Sequence, residues 1–332
     1  MIKFFKSPDP IVYVLLALYA VALNFNLIIS PPVLDFRATA PIYQLIINGL
    51  QPIYVLNKHL VPIVFIVGLL LQSALFNGVV SRLRLFDSTN HLAAFCYILL
   101  FSLFNNHLYL SAPFFANFAL LFALITVNSS EKTGLLQSFD AGFIIGIASL
   151  CYLPTVSMLL FVLILFNIKY FFSWREFILL FIGLAMPYYL TAVIYFLTNQ
   201  LPQFQQIYQL NAIVTSIVQP IYRLFELLVK LPLLFLITAV AVFIFQSRYF
   251  KSTMIVKNNL TMLIYMLSVS LLLFLFLEKF SLAPLCVPLL SISALLAYAF
   301  NEMDKSWTAE IICLSIITAT FLFQYFNQFL PL

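Results

Sequence analysis

Charge is what this sequence has least of. Charged residues are 8% of its 332 positions, against 64% hydrophobic, whereas soluble domains carry about 25% charged residues. A surface so poor in charge does not stay in water, so a soluble globular chain is excluded and lipid is the main solvent. No hydrophilic block is long enough for a soluble domain, so residues 1–332 read as a single integral membrane domain. Also missing are a Walker loop, a GxGxxG turn, an HExxH pair and any haem or flavin signature, which leaves nucleotide, zinc-hydrolase and redox-cofactor chemistry without sequence support and indicates no metal site. The four cysteines, Cys96, Cys151, Cys286 and Cys313, lack CxxC spacing and fall inside apolar runs, as packing thiols do.

What is present is a series of apolar runs. A spanning helix needs about 20 mostly apolar residues. Candidates lie near 11–30, 61–80, 91–105, 113–128, 138–152, 154–172, 177–198, 231–247, 259–277, 283–300 and 308–328, which makes about eleven spans, or ten if one short pair is re-entrant. The runs are continuous and do not alternate, so helices are expected in place of a barrel. The fold class is therefore all-α, a polytopic transmembrane helical bundle.

Orientation follows from the cations. With the N-terminus in the cytoplasm, inner segments hold Lys3, Lys6, Arg82, Arg84, Lys132, Lys169, Arg175, Arg248, Lys251, Lys257 and Lys305, and outer segments hold Arg37, Lys58, Arg223, Lys230 and Lys279. That asymmetry is the positive-inside pattern of a bacterial inner-membrane protein. The net charge of +5 reflects this topology and gives no reason to expect nucleic acid. The first run is long and is followed by no clear small-residue cleavage site, so it is expected to be a retained span.

Two outer segments are longer than the other connections: 31–60 and 199–230. In the first, Ile42, Leu45 and Ile46 share one helical face and Gln44 and Asn48 another, with Pro41 suited to a first turn and Gly49 with Pro52 to a stop. In the second, Gln205 and Gln209 oppose Ile207, Leu210 and Val214, and then Arg223, Glu226 and Lys230 oppose Ile221, Leu224, Phe225 and Leu228. Both patterns predict short helices lying in the outer interface, their charged faces solvated. Two such segments can frame a lateral opening that admits a lipid tail from the side and a headgroup from outside.

The outer face holds few acids: Asp35, Glu226 and Glu278. Glu226 precedes Lys230 by four, a favourable pairing order. Asp35, in LDFR, is the strongest candidate for acid–base work; a pair with Arg37 or a helix cap is the plain alternative. Arg37, Lys58, His59 and Arg223 are candidates for holding a lipid phosphate; contact with ordinary headgroups is theirs. Asp140 is expected at the start of a span, where a carboxylate caps free N–H groups.

The arrangement over residues 1–230 resembles the GT-C superfamily of membrane glycosyltransferases. The likeness rests on the basic turn SRLRLF (81–86), a hairpin turning at LYLSAPFFANF (108–118), the pair of spans in AGFIIGIASLCYLPTVSMLL (141–160), and a seventh span carrying Pro187 that leads to the second outer segment. Residues 231–332 would then be additional C-terminal spans. The start FFKSPDP (4–10) is also similar to that of a group of Bacteroidota inner-membrane proteins of about this length. The GT-C resemblance implies that Asp35, as the acid of the first outer loop, serves as base or as ligand to a divalent metal, and that the substrate is a sugar on a polyprenyl-phosphate carrier. Many members present two acids there and end in a soluble domain; this chain presents one acid and no such domain. A non-catalytic membrane subunit of an envelope complex, binding lipid or a partner's transmembrane helix, is the alternative, and a lipid or small-solute transporter the third.

Overall fold

Apolar residues in unbroken runs form helices because hydrocarbon offers no other partner for backbone N–H and C=O groups. The computed structural model describes residues 2–7, 9–32, 40–86, 90–128, 134–169, 173–200, 221–248, 252–277, 283–303 and 306–329. In chain order the helices are α1 (Ile2–Phe5), α2 (Ile11–Leu23), α3 (Phe25–Ile29), α4 (Pro41–Leu56), α5 (Leu60–Arg82), α6 (Leu92–Leu103), α7 (Asn105–Leu108), α8 (Ala112–Val127), α9 (Gly134–Cys151), α10 (Met158–Lys169), α11 (Trp174–Leu197), α12 (Ile221–Arg248), α13 (Met254–Leu277), α14 (Cys286–Glu302) and α15 (Ser306–Phe329). Among the described residues there is no strand. Among the described residues six helical stretches are long and apolar enough to cross a membrane: Leu60–Arg82, Gly134–Cys151, Trp174–Leu197, Val229–Arg248, Met254–Leu272 and Ala283–Glu302. This is a multi-pass membrane protein. The remaining runs form shorter apolar helices, Ile11–Leu23, Leu92–Leu103, Ala112–Val127, Leu153–Asn167 and Trp307–Phe323.

The core is built on α6 and α14, which pack together. Every residue of α6 is buried, as is every residue of α14 up to Phe300. At 12 residues α6 is about 18 Å long, well short of a bilayer core of about 30 Å.

Hydrogen bonds between distant segments sort the bundle into two ends. At one end the His91 N–H donates to the Phe5 carbonyl at 2.9 Å. Nearby, the Lys6 ammonium donates to Asn301 O at 3.3 Å and the Asn259 amide to Leu83 O at 2.7 Å. Phe5 plugs this end, stacked on Phe95 with ring centroids 4.2 Å apart. The other end gathers α3, α4, the α4–α5 turn and the turn between α7 and α8.

The tightest contact joins α9 and α11. A Cβ on Gly142 would overlap the Leu180 carbonyl, one on Gly183 would overlap the Phe139 carbonyl, and one on Gly146 would lie 2.8 Å from the Leu184 carbonyl oxygen. The two helices therefore run parallel in direct backbone contact, the small-xxx-small packing of membrane helices. Tyr188 donates to Ser149 Oγ across the same seam at 2.7 Å. Ser173 opens α11 with a reciprocal cap: its Oγ accepts from the Glu176 N–H, and its own N–H donates to the Glu176 carboxylate.

Three local expectations are corrected. Helix α4 does not stop at Gly49 or Pro52 but runs to Leu56. Both residues are on its exposed side, so the carbonyl left free by the missing proline N–H meets solvent or headgroups. Helix α9 begins at Gly134, so Asp140 lies in its second turn and not at its start. The segment 221–230 is not a separate surface helix: it forms the first turns of the 28-residue α12, and Lys230 is 1% exposed with Nζ 5.7 Å from the Phe323 ring centroid. Lys230 is thus buried, with the Phe323 ring of α15 near its ammonium, where local periodicity assigned a solvated face. Residues 201–220 lie outside the described residues.

Candidate functional site

Helix α4 is uncharged along its whole length and has three distinct flanks. Pro41 sits in its first turn. The inner flank is Tyr43, Ile47, Leu50 and Tyr54, of which Ile47 is fully buried. That corrects the expected stripe: Leu45 is 72% exposed, and the residues that pack inward are offset from it by half a turn. This flank lies against α5, α9 and the α7–α8 turn. The Tyr43 hydroxyl donates to the Leu110 carbonyl at 3.1 Å, which holds α4 across the turn of the short α6–α8 hairpin. Leu110 itself has φ of +43°, the left-handed backbone that lets the chain reverse there. Beside it, burial raises the Tyr109 hydroxyl pKa above its ordinary range, and neighbouring Tyr54 adds to the rise.

The other two flanks face outward. Gln44, Asn48 and Gln51 form a row of carboxamides, and Leu45, Pro52 and Leu56 an apolar strip beside it. A helix with one face on protein, one polar and one apolar has the amphipathic form that lies at a membrane interface. Asn48, Gln51, Pro52, Val55 and Leu56 line an open hollow of about 530 Å³.

At the C-terminal end of α4 the chain turns through Asn57, Lys58 and His59 into α5. Both Lys58 and His59 are exposed. The His59 N–H donates to Asn57 Oδ1 at 2.9 Å, and the ring Nδ1 lies 2.9 Å from the Ile28 carbonyl oxygen. A carbonyl only accepts, so Nδ1 carries the proton, and in the neutral ring Nε2 is the basic nitrogen. Ser30 closes α3 two residues on, its Oγ donating to Asn26 O at 3.0 Å. Ser30 thus lies close in the chain to the Ile28 carbonyl that His59 meets, and Ala40 precedes α4.

Of the residues expected to form the site, Lys58 and His59 are adjacent at this corner. Asp35 and Arg37 lie outside the described residues, as does the side chain of Arg223 on α12. Every carboxylate whose side chain is described (Asp9, Asp140, Glu176, Glu302 and Glu310) belongs to helix ends or turns at the opposite end of the bundle. Among the described residues no three His, Cys, Asp or Glu side chains converge, so nothing described fits a divalent ion.

A second polar feature escaped the sequence reading. Helix α2 breaks at Asn24 and α6 at Phe104, with nearly the same backbone angles, φ −110° and ψ 16° against φ −112° and ψ 17°. The buried Asn24 amide donates to Ala20 O and to Ser102 Oγ, both at 2.9 Å, and its Oδ1 accepts from the Asn105 amide at 3.2 Å. The two breaks are latched together. Deeper in the core Tyr97 donates to Gln72 Oε1 at 2.8 Å, Gln72 to Phe114 O, and Asn117 to Cys286 O. The signal that could have found it is a polar residue inside an apolar run, which Asn24, Gln72 and Asn117 each are.

Residues 39–331 match the family described as "Family of unknown function (DUF6427)". The chain belongs to that family. No curated protein and no solved structure matches it.

Proposed function

We propose that this DUF6427 protein is a GT-C-like protein of the bacterial inner membrane. Its N-terminus is cytoplasmic, it has about eleven spans, and it handles a polyprenyl-phosphate-linked sugar on the extracytoplasmic face. One observation carries the reading: the uncharged, three-flanked α4 is held across the short hairpin and ends in the exposed side chains of Lys58 and His59. That is a corner where a lipid tail, a phosphate and a polar headgroup meet their matching surfaces at one depth. This count takes the five shorter apolar helices as spans beside the six long ones.

In this reading the Asp35 carboxylate takes the proton of an acceptor hydroxyl as its oxygen attacks the anomeric carbon. The bond from that carbon to the phosphate oxygen breaks, and the polyprenyl phosphate leaves with the electron pair. Arg37, Lys58, His59 and Arg223 meet the negative charge that develops on it.

The test is complementation of a strain lacking the protein, with the lipid extract read by mass spectrometry. The deletion strain is expected to accumulate a polyprenyl-phosphate-linked sugar. The wild type clears it; Asp35→Asn, inserted at the same level, does not. Clearance by Asp35→Asn would remove the catalytic proposal.

The non-catalytic alternative, a lipid-binding subunit of an envelope complex, is favoured by one fact: the described carboxylates all lie at the opposite end from Lys58 and His59. It predicts that Asp35→Asn complements fully while a Lys58→Ala/His59→Ala variant does not. Transport is the third reading and draws on the paired breaks at Asn24 and Phe104, since discontinuous helices form solute sites in transporters. Asn24 has already engaged its amide with neighbouring helix groups, which makes this pair a latch before it is a binding site.

A further inference from the structure

We infer that the outer flank of α4 is a sugar-binding platform, with Gln44, Asn48 and Gln51 as its hydrogen-bonding row and Pro52 and Val55 as its apolar floor. The inference rests on the proposed handling of a lipid-linked substrate at this corner, and it names which part of that substrate α4 recognises.

Interfacial helices that hold anionic lipid carry Lys or Arg on their polar face. Helix α4 has none, and its outward polar groups are all neutral carboxamides. A carboxamide both donates and accepts, with two N–H groups and two lone pairs. That matches a neutral ligand whose hydroxyls do the same, and it does not match a phosphate. The side chains of Gln44, Asn48 and Gln51 make no hydrogen bond with any described residue. Their spacing of four and then three residues puts neighbours about 5–6 Å apart on one flank. From Gln44 to Gln51 the row is about 10 Å long, room for one or two hexose rings. The hollow of about 530 Å³ beside it is lined by Asn48 and Gln51 together with Pro52, Val55 and Leu56, so C–H faces of a pyranose have an apolar surface while its hydroxyls meet amides. Val55 and Leu56 are 77% and 83% exposed, apolar side chains of the kind an interfacial helix turns toward lipid. The sugar is therefore one attached to a lipid in the same leaflet. Lys58 and His59 follow Leu56 directly, where the phosphate of that lipid would lie.

The experiment uses the full chain in lipid nanodiscs and two probes: farnesyl phosphate, and farnesyl phosphate carrying a glucosyl group. The glucosylated probe is expected to bind at least tenfold more tightly. The variant Gln44→Ala/Asn48→Ala/Gln51→Ala should lose that gap while keeping the wild-type Kd for farnesyl phosphate, and Asn48→Leu alone should lose most of it. Lys58→Ala/His59→Ala should weaken both probes equally. Asn48, Gln51, Lys58 and His59 are exposed and Gln44 is half-buried, and an unchanged melting temperature verifies the fold. Equal affinity of the two probes for the wild type, or a gap that survives the triple substitution, overturns the platform and leaves the lipid-phosphate reading standing. Failure of both probes to bind overturns both. Tight binding of methyl glucoside in place of the lipid-linked sugar overturns the assignment to a lipid.

Discussion

Gly142 on α9 lies against the carbonyl oxygen of Leu180 on α11, with no room for a Cβ between them. Gly183 repeats the contact from the other helix against Phe139. In lipid there is no hydrophobic force to bring two apolar helices together, so close approach of backbones supplies the association. This seam fixes α9, and α4 packs on α9, so the geometry of the proposed site depends on it.

Substitution at the seam should therefore be costly. Gly142→Ala or Gly183→Ala is expected to lower stability by about 1–3 kcal/mol through overpacking. At Gly49 and Gly78 a Cβ meets nothing within 4 Å, and alanine there should be neutral or stabilising by up to about 1 kcal/mol through helix propensity. Thermal melts of the four variants in one detergent distinguish the two classes.

The latch between the broken helices gives a second expectation. Asn24→Leu removes an acceptor from Asn105 and a donor from Ser102, both buried. A double-mutant cycle over Asn24 and Asn105 should give a coupling of about 1 kcal/mol, in the range for interhelical hydrogen bonds in membranes. Additivity of the two substitutions would show that the amides act independently.

Much of this architecture was legible in the sequence, because a helix that must satisfy its backbone in hydrocarbon announces itself as a continuous apolar run. The expected runs became apolar helices, the first of them broken at Asn24, and Pro41 opened α4 as its chemistry requires. What failed did so where distant parts of the chain decide. Lys230 read as part of a solvated stripe because nothing local records that the fold buries it near Phe323, on α15. The inward face of α4 was misread at Leu45 because its partner, the Leu110 turn, is distant in sequence and meets Tyr43 instead. The fit of Gly142 and Gly146 to α11 depends on a helix some forty residues on, and no local pattern records it. At the site itself, sequence alone named Asp35, Arg37 and Arg223, and the structure adds the fixed tautomer of His59 and the three flanks of α4.

Alkaline pH should weaken the α4 contact. Burial, reinforced by Tyr54, raises the Tyr109 pKa above its ordinary value of 10.0 in the folded protein. The folded state then holds the proton where the unfolded state releases it, so stability from this group is intact below pH 10 and falls as pH rises beyond it. Tyr109→Phe has no proton to lose and should show a shallower decline above pH 10. Denaturant midpoints at pH 8, 10 and 11 for the two proteins make the comparison.

Topology is open to labelling because all four native cysteines are buried. Lys58→Cys is expected to react with a membrane-impermeant maleimide added to intact spheroplasts. Asp9→Cys, exposed at the opposite end of the bundle, should react only after permeabilisation. The reverse pattern would turn the molecule over and remove the extracytoplasmic site.

The central claim, that a lipid phosphate is held where α4 meets α5, is tested most directly by photo-crosslinking. A diazirine-bearing polyprenyl phosphate is irradiated with the protein in proteoliposomes, and the adducts are mapped by peptide mass spectrometry. The account predicts adducts concentrated between residues 41 and 60 and lost in Lys58→Ala/His59→Ala. Adducts spread evenly over the lipid-facing helices, or gathered at the end where Phe5 meets His91, would contradict it.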